Sequence, residues 1–155
     1  MKKQLEVSLE TVNDAVRLHA SAPDKNPIVI DYFSPPGDED GYSSLELLLM
    51  SAASCLATAV KLMATRRLEK EISAIEVKAV GIRRDALPTD FEKMTFALRC
   101  VSKNLDQAAL DGLVQTAEKS VCPVFAMLRS DVPTEISAVV VRPDGEQSDV
   151  EGGAK

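Results

Sequence analysis

The chain has 155 residues, of which 45% are apolar and 27% are charged, a balance that is ordinary for one soluble globular domain. Its formal net charge of −6 argues against nucleic acid and against an anionic membrane surface, because both attract clustered Lys and Arg. No apolar signal-peptide core follows the N-terminus, and the uncharged run between Glu46 and Lys61 is too short to span a bilayer. These features predict a cytoplasmic protein that binds neither nucleic acid nor membranes.

The first third of the chain has the pattern of three short strands. Apolar and polar residues alternate over 5–9 and again over 16–20, and residues 28–33 (IVIDYF) are rich in β-branched and aromatic side chains. Turn-forming Asn, Asp and Pro residues lie between these segments. We expect an antiparallel meander in which Arg17 lies on the face opposite the apolar side chains of its strand.

A long helix is predicted from Ser43 to Leu68. It opens with SSLE, which fits a capping box between Ser43 and Glu46, and its first half is apolar nearly all round. Such a helix needs to be enclosed by other elements, and one short meander gives too little cover. The pattern therefore favours a homodimer in which both chains enclose the helix.

The second half of the chain predicts two long strands, two helical segments and a last strand. The strands lie over 73–84 and 93–101, and a helix over 105–119 precedes a helical turn that starts at Pro123. A final strand at 134–141 gives the order β-β-β-α-β-β-α-α-β, which predicts an α+β protein with antiparallel sheets. Residues 1–141 are expected to form one domain, and residues 142–155 a disordered tail with almost no apolar content.

Three widely spaced cysteines are the candidates for chemistry. They do not form a disulfide framework, and with no Cys-x-x-Cys and His19 as the only histidine they do not form a zinc site. Cys100 is in phase with an apolar strand face, which predicts core packing. Cys122 precedes a helix, so a small capping residue and an acidic thiol fit it equally. Cys55 lies among small residues in the long helix, where core packing and a reactive thiol both remain open.

Three segments resemble the OsmC/Ohr family, most closely its OsmC-like branch typified by YhfA. They are residues 43–60 (SSLELLLMSAASCLATAV), 80–100 (VGIRRDALPTDFEKMTFALRC) and 105–128 (LDQAALDGLVQTAEKSVCPVFAML), and the resemblance extends over about 10–141. It implies an α+β, OsmC-like fold, with antiparallel sheets wrapped around long central helices in an intertwined homodimer. Two active sites are then expected at the dimer interface.

The resemblance also implies thiol-dependent reduction of organic hydroperoxides. Cys55 matches the peroxidatic cysteine, which becomes a sulfenic acid, and Cys122 matches the resolving cysteine, which forms a disulfide with it. An external dithiol, often carried by a lipoylated protein in well-known members, restores both thiols. The substrate is expected to be a small apolar hydroperoxide, and neither a metal nor an organic cofactor is implied.

Two charged residues complete the expected site. The family supplies an arginine from the N-terminal strands, and Arg17 is the candidate, although a solvated strand face is an equal interpretation. The hydroperoxide-reducing branches carry a glutamate ten residues before the cysteine, where this chain has Leu45. Glu46 lies nine residues before Cys55, on the opposite side of an ideal helix, so it is either a capping residue or a catalytic partner.

Two other functions stay open at this point. The first is a non-enzymatic OsmC-like stress protein that binds a small apolar ligand at the dimer interface. The second is a dimeric scaffold whose cysteines only pack. The pair Cys55 and Cys122 favours the enzyme, because a binding module needs neither thiol.

Overall fold

The computed structural model describes residues 4–128 and 132–143. These residues divide into two compact units, the first ending at Leu48 and the second beginning at Leu49. The predicted tail lies outside the described residues from position 144 onward. That residues 1–141 form one domain stays a prediction.

The first unit contains a three-stranded antiparallel sheet in meander order. Its strands are β1 (Ser8–Thr11), β2 (Leu18–Ser21) and β3 (Ile28–Ile30), each shorter than its sequence pattern. The turn before β2 is closed by Asn13, whose side-chain oxygen accepts the amides of Ala15 and Arg17 at 3.1 Å each. The predicted meander is confirmed, and this turn places Arg17 directly before β2.

Helix α1 (Ser44–Leu68) begins in the first unit and continues into the second. The amide and hydroxyl of Ser43 donate to Glu46 Oε2 at 2.7 and 2.8 Å, and the Glu46 amide donates to Ser43 Oγ at 3.3 Å. This reciprocal pair is the predicted capping box, which satisfies amides that a helix start leaves unpaired. At the other end Glu69 has a φ of 53°, in the left-handed region that often terminates helices.

One face of α1 is buried in the second unit. The buried residues recur at helical spacing and are Ala52, Leu56, Ala59, Val60, Met63 and Ala64. On other faces Met50 is 45% and Leu62 44% exposed, so the expected enclosure on all sides is not reached within a single chain. By length and composition alone α1 could cross a membrane, a test that core helices of soluble proteins also pass.

The second unit contains a mixed sheet rather than the antiparallel sheet expected from the sequence. Its strands are β4 (Ala74–Arg83), β5 (Phe91–Val101) and β6 (Thr134–Val141), in that order across the sheet. β4 and β5 pair antiparallel, whereas β5 and β6 pair parallel. Parallel pairing requires the chain to return from the end of β5 to the level of its start before β6 begins. The long helical connection after β5 makes this return.

That connection has three helical parts. Helix α2 (Gln107–Thr116) is capped at its start by Asp106, whose carboxylate accepts the Ala109 amide at 2.7 Å. The predicted continuation to 119 is instead a π-helical turn (Ala117–Val121), in which the Cys122 amide donates to the Ala117 carbonyl at 2.9 Å. Helix α3 (Pro123–Met127) follows, with Cys122 at its N-cap as predicted.

Strand β6 lies at the edge of this sheet, and a side chain from α2 covers part of that edge. Gln107 Oε1 accepts the Val140 amide at 3.0 Å, and its Nε2 donates to the Ala138 carbonyl at 2.9 Å. Beyond β6, Arg142 Nη1 donates to the carbonyls of Ser102 and Leu105 at 3.0 Å each. The first residue of the predicted tail is therefore tied to the fold.

Candidate active site

The structure joins Cys55 and Cys122 by a disulfide bond within the second unit. Their Cα atoms are 5.9 Å apart, although 67 positions separate them in the chain. That separation is ordinary for a disulfide. Cys55 lies on α1 and is partly exposed, whereas Cys122 at the start of α3 is 2% exposed. Cys55 is therefore the more exposed residue of the pair.

The backbone and one aromatic contact fix the position of Cys122. Its amide closes the π-helical turn, and its carbonyl accepts the Ala126 amide at 3.1 Å. Three residues further on, the Phe125 ring meets the Phe96 ring of β5 edge to face, with centroids 5.2 Å apart and an interplanar angle of 64°. Both rings are buried. The segment that carries Cys122 is thus held from both sides.

Cys55 lies at the boundary between the buried and exposed faces of α1. Ala52 and Leu56 beside it are fully buried, whereas Ser51 and Ser54 are exposed. The Ser54 hydroxyl donates to the Ser51 carbonyl at 3.1 Å. A partly exposed cysteine among small side chains fits the solvent-accessible setting in which reactive thiols are found.

Cys100 is a free thiol with no exposed surface, so the prediction that it packs in the core is confirmed. It pairs with Ile75 on β4 and Val140 on β6. Burial raises the pKa of Cys100 to about 11, so the thiol stays protonated near neutral pH. Within residues 4–128 and 132–143, no group of three or more His, Cys, Asp and Glu is arranged to hold a metal ion.

Arg17, the predicted activating cation, is bound by three carboxylates in the first unit. Its Nε lies 3.4 Å from Asp31, Nη2 3.1 Å from Asp38 and Nη1 3.1 Å from Asp40. The Asp31 side chain is fully buried, while the other two carboxylates are mostly exposed. Arg17 is therefore an organised part of the loop after β3 rather than a freely solvated side chain.

Asp31 organises that loop, and sequence reasoning did not single it out. Its Oδ1 accepts the Tyr32 amide at 2.8 Å, and its Oδ2 accepts the amides of Asp38 and Asp40 at 3.3 Å each. Burial by itself would raise the pKa of Asp31, but these amides and Arg17 together hold it below its usual value. The signal available was a single carboxylate inside the apolar segment IVIDYF.

Glu46 is engaged at the start of α1. The Ser43 amide, followed by the Ser43 hydroxyl, lowers the pKa of Glu46 by hydrogen bonding to its carboxylate. The side chain also borders a cavity of about 150 Å³ in the first unit, together with Asp31, Tyr32 and Phe33. Its capping role is observed, whereas a role as catalytic partner stays a prediction.

Comparisons with known proteins agree with this architecture. A family model described as OsmC-like protein matches residues 37–137. A hypothetical protein from Aquifex aeolicus VF5 aligns with a TM-score of 0.77 and 25% identity, over 91% of this chain and 98% of that one. No curated protein matches the chain significantly by sequence.

Two further solved structures have names that refer to organic hydroperoxide resistance. The protein OsmC from Legionella pneumophila aligns at a TM-score of 0.66 and 17% identity, over 87% of this chain and 96% of that one. OhrB of Bacillus subtilis aligns with a TM-score of 0.61 and 19% identity, over 87% of this chain and 97% of that one. At these identities the two likenesses show a shared fold alone. Together the matches confirm the predicted mixed α and β architecture of the OsmC type.

Proposed function

Because this chain belongs to the OsmC-like family, we propose that it reduces organic hydroperoxides with the thiols of Cys55 and Cys122. The observation that carries the proposal is the disulfide between these two residues. A protein that only binds an apolar ligand needs neither thiol. The names of the Legionella and Bacillus proteins support hydroperoxides as the substrate class.

In the first step the Cys55 thiolate attacks the hydroperoxide. An S–O bond forms while the O–O bond breaks, so the sulfur loses two electrons and the peroxide gains them. The alkoxide takes a proton and leaves as an alcohol, and Cys55 becomes a sulfenic acid. The partly exposed position of Cys55 supports this role, since Cys122 and Cys100 are both buried.

In the second step Cys122 attacks the sulfenic sulfur. The S–S bond forms, the S–O bond breaks, and water leaves with the proton of the Cys122 thiol. An external dithiol, with a lipoylated protein as the proposed carrier, then reduces the disulfide in two exchange reactions. Attack at Cys55 is favoured because Cys122 is 2% exposed, so Cys122 is the leaving thiol.

Arg17 is the proposed activator of the Cys55 thiolate. An apolar site raises a thiol pKa, and a nearby cation reverses that effect. The three carboxylates hold the guanidinium in a defined orientation, and Asp31 does so from a buried position. Glu46 is kept as a candidate partner, although its carboxylate already caps α1.

We further propose a cytoplasmic homodimer. The exposed apolar residues of α1 support it, because Met50 and Leu62 would gain cover from a second chain. The small apolar hydroperoxide is then expected to enter at the dimer interface. The net charge of −6 favours a protein that does not bind nucleic acid.

One thiol-counting experiment tests the reaction. The reduced protein is treated with a stoichiometric amount of cumene hydroperoxide, and free thiols are counted in the wild type, Cys55→Ser, Cys122→Ser and Cys100→Ser. The wild type and Cys100→Ser should each lose the Cys55 and Cys122 thiols to a disulfide. Cys122→Ser should stop at a Cys55 sulfenic acid that dimedone traps, and Cys55→Ser should form no disulfide.

Unchanged thiol counts in both the wild type and Cys55→Ser would reject the peroxidase. That result would favour the non-enzymatic protein that binds a small apolar ligand at the dimer interface. Loss of the Cys100 thiol instead of Cys55 would show that the attacking residue had been misassigned.

A further inference from the structure

The short helix that carries Cys122 needs tertiary contacts to hold its position. Helix α3 has five residues, all of them described, and Phe125 is the buried one among them. A helix of this length is not stable by its own hydrogen bonds, because nucleation is costly. Its location must therefore come from tertiary contacts, and the edge-to-face contact of Phe125 with Phe96 provides one.

At the other end of the segment, the backbone of Cys122 makes the hydrogen bonds. The Cys122 amide donates to the Ala117 carbonyl across the π-helical turn, and the Cys122 side chain makes no capping hydrogen bond to α3. A π turn is a local irregularity that often accompanies function, and it gives the thiol no side-chain anchor. Once the disulfide is reduced, the docking of Phe125 on β5 remains as a contact that holds α3.

We infer that Phe125 is a positioning residue for the resolving cysteine, which it holds in reach of Cys55 by docking α3 against Phe96. In the reduced protein this docking raises the effective concentration of the Cys122 thiol at the Cys55 sulfur. Disulfide closure then proceeds quickly, with the S–S bond forming and water leaving from the sulfenic acid. The kinetic part of this inference rests on the proposed function, whereas the positioning itself does not.

A redox equilibrium tests the positioning without any peroxide. The Cys55–Cys122 disulfide is equilibrated with reduced and oxidised glutathione, and the closure constant is measured. Phe125→Ala should lower that constant on the order of 10- to 100-fold, the effect of losing a held geometry. Met127→Ala on the same helix, at a position that is 76% exposed, should leave it unchanged.

Two conservative variants protect the experiment against simple unfolding. Phe125→Leu keeps an apolar side chain on α3 but removes the aromatic ring. Phe96→Leu removes the partner ring, which lies on β5. Both should keep the native circular dichroism spectrum and lower the closure constant less than Phe125→Ala does. The double variant should lower it no more than the stronger single variant, because both remove the same contact.

The kinetic test follows the sulfenic acid. In Phe125→Leu, Cys55 should react with cumene hydroperoxide at the wild-type rate, while its sulfenic acid lives longer and is trapped more by dimedone. A folded Phe125→Leu with wild-type closure constant and wild-type trapping overturns the inference. If the wild type does not react with hydroperoxide, the proposed function fails, and the glutathione equilibrium alone decides whether Phe125 positions Cys122.

Discussion

The three cysteines differ in how much of each residue is exposed to solvent. Cys100 is fully buried in β5, Cys122 is nearly so, and Cys55 is partly exposed on α1. Because the thiolate is the reactive form, burial without a cation makes a cysteine inert. Cys100 is therefore not expected to react. Its ionisation instead tests the packing of the core, independently of the proposed reaction.

The buried thiol of Cys100 should make the protein less stable in alkali. Unfolded, this thiol loses its proton near its ordinary pKa, whereas in the fold its pKa is about 11. Between these values the folded state binds more protons, so the free energy of unfolding falls as pH rises. The full loss is about 3 kcal/mol. It is measured by urea unfolding of the oxidised protein, in which Cys100 is the free thiol.

The matched variant for this measurement is Cys100→Ala. Other groups titrate equally in both proteins, so the stability difference between them isolates Cys100. We expect that difference to shrink as the pH rises from neutrality toward the raised pKa. A difference that stays constant over this range would mean that the Cys100 pKa is ordinary.

The pH dependence of Cys55 oxidation distinguishes an activating role of Arg17 from a purely structural role in the loop after β3. Loss of the proposed activating cation in Arg17→Ala should slow the reaction with cumene hydroperoxide on the order of 10- to 1000-fold near neutral pH. The rate should recover at higher pH, where the thiolate forms without help. Arg84→Ala is the control, since Arg84 pairs with Asp90 on the exposed hairpin. An unchanged pH profile would assign Arg17 to the loop alone.

Among the elements, α1 was predictable nearly to the residue. The expected span of 43–68 agrees with the observed Ser44–Leu68 because its start signal, Ser43 with Glu46, is local in sequence. The parallel pairing of β5 and β6 was not predictable in the same way. Strand direction depends on the path of the connection between two strands, and no short stretch of sequence encodes that path.

The capping box gives a prediction at the level of this helix. Ser43→Ala removes the hydroxyl on which the Glu46 amide depends, and it should cost about 1 kcal/mol in the free energy of unfolding. Ser44→Ala is the neighbouring control and should cost less. Chemical denaturation at neutral pH measures both, and equal losses would mean that the cap contributes nothing specific.

The charge of Glu46 makes part of this contribution depend on pH. Its pKa is lowered in the fold by the Ser43 amide and hydroxyl, so the stabilisation is present above its ordinary pKa. It is lost as the pH falls through the lowered value. The stability difference between the wild type and Glu46→Gln should therefore disappear in acid.

At the scale of the whole molecule, exposed apolar residues predict that two chains associate. Sedimentation equilibrium should give twice the mass of one chain. Leu62→Glu places a charge on the exposed face of α1 and should shift the mass toward the monomer, because burying an unpaired charge is costly. Leu87→Glu, at a hairpin position that is 90% exposed, should leave the dimer intact. A monomeric wild type would contradict the prediction.

The site was predictable only where its members follow a sequence pattern. Cys55 and Cys122 were found through their family resemblance, and the structure joins them. Asp31 and Phe125 were missed as organisers, because their importance comes from contacts with Arg17 and Phe96. Those partners lie 14 and 29 positions away in the chain. Such contacts exist only after the chain has folded.

The side-chain amide of Gln107 occupies hydrogen-bonding positions on the edge strand β6 that another strand could otherwise use. By satisfying Val140 and Ala138, it blocks the recruitment of a foreign segment along the β-branched end of β6. The protection lasts only while α2 remains docked. Local detachment of α2 would expose unpaired backbone groups of β6, and such an exposed strand edge can start amyloid-like aggregation. Self-association of a partly unfolded chain would then begin at this border, far along the chain from Cys55.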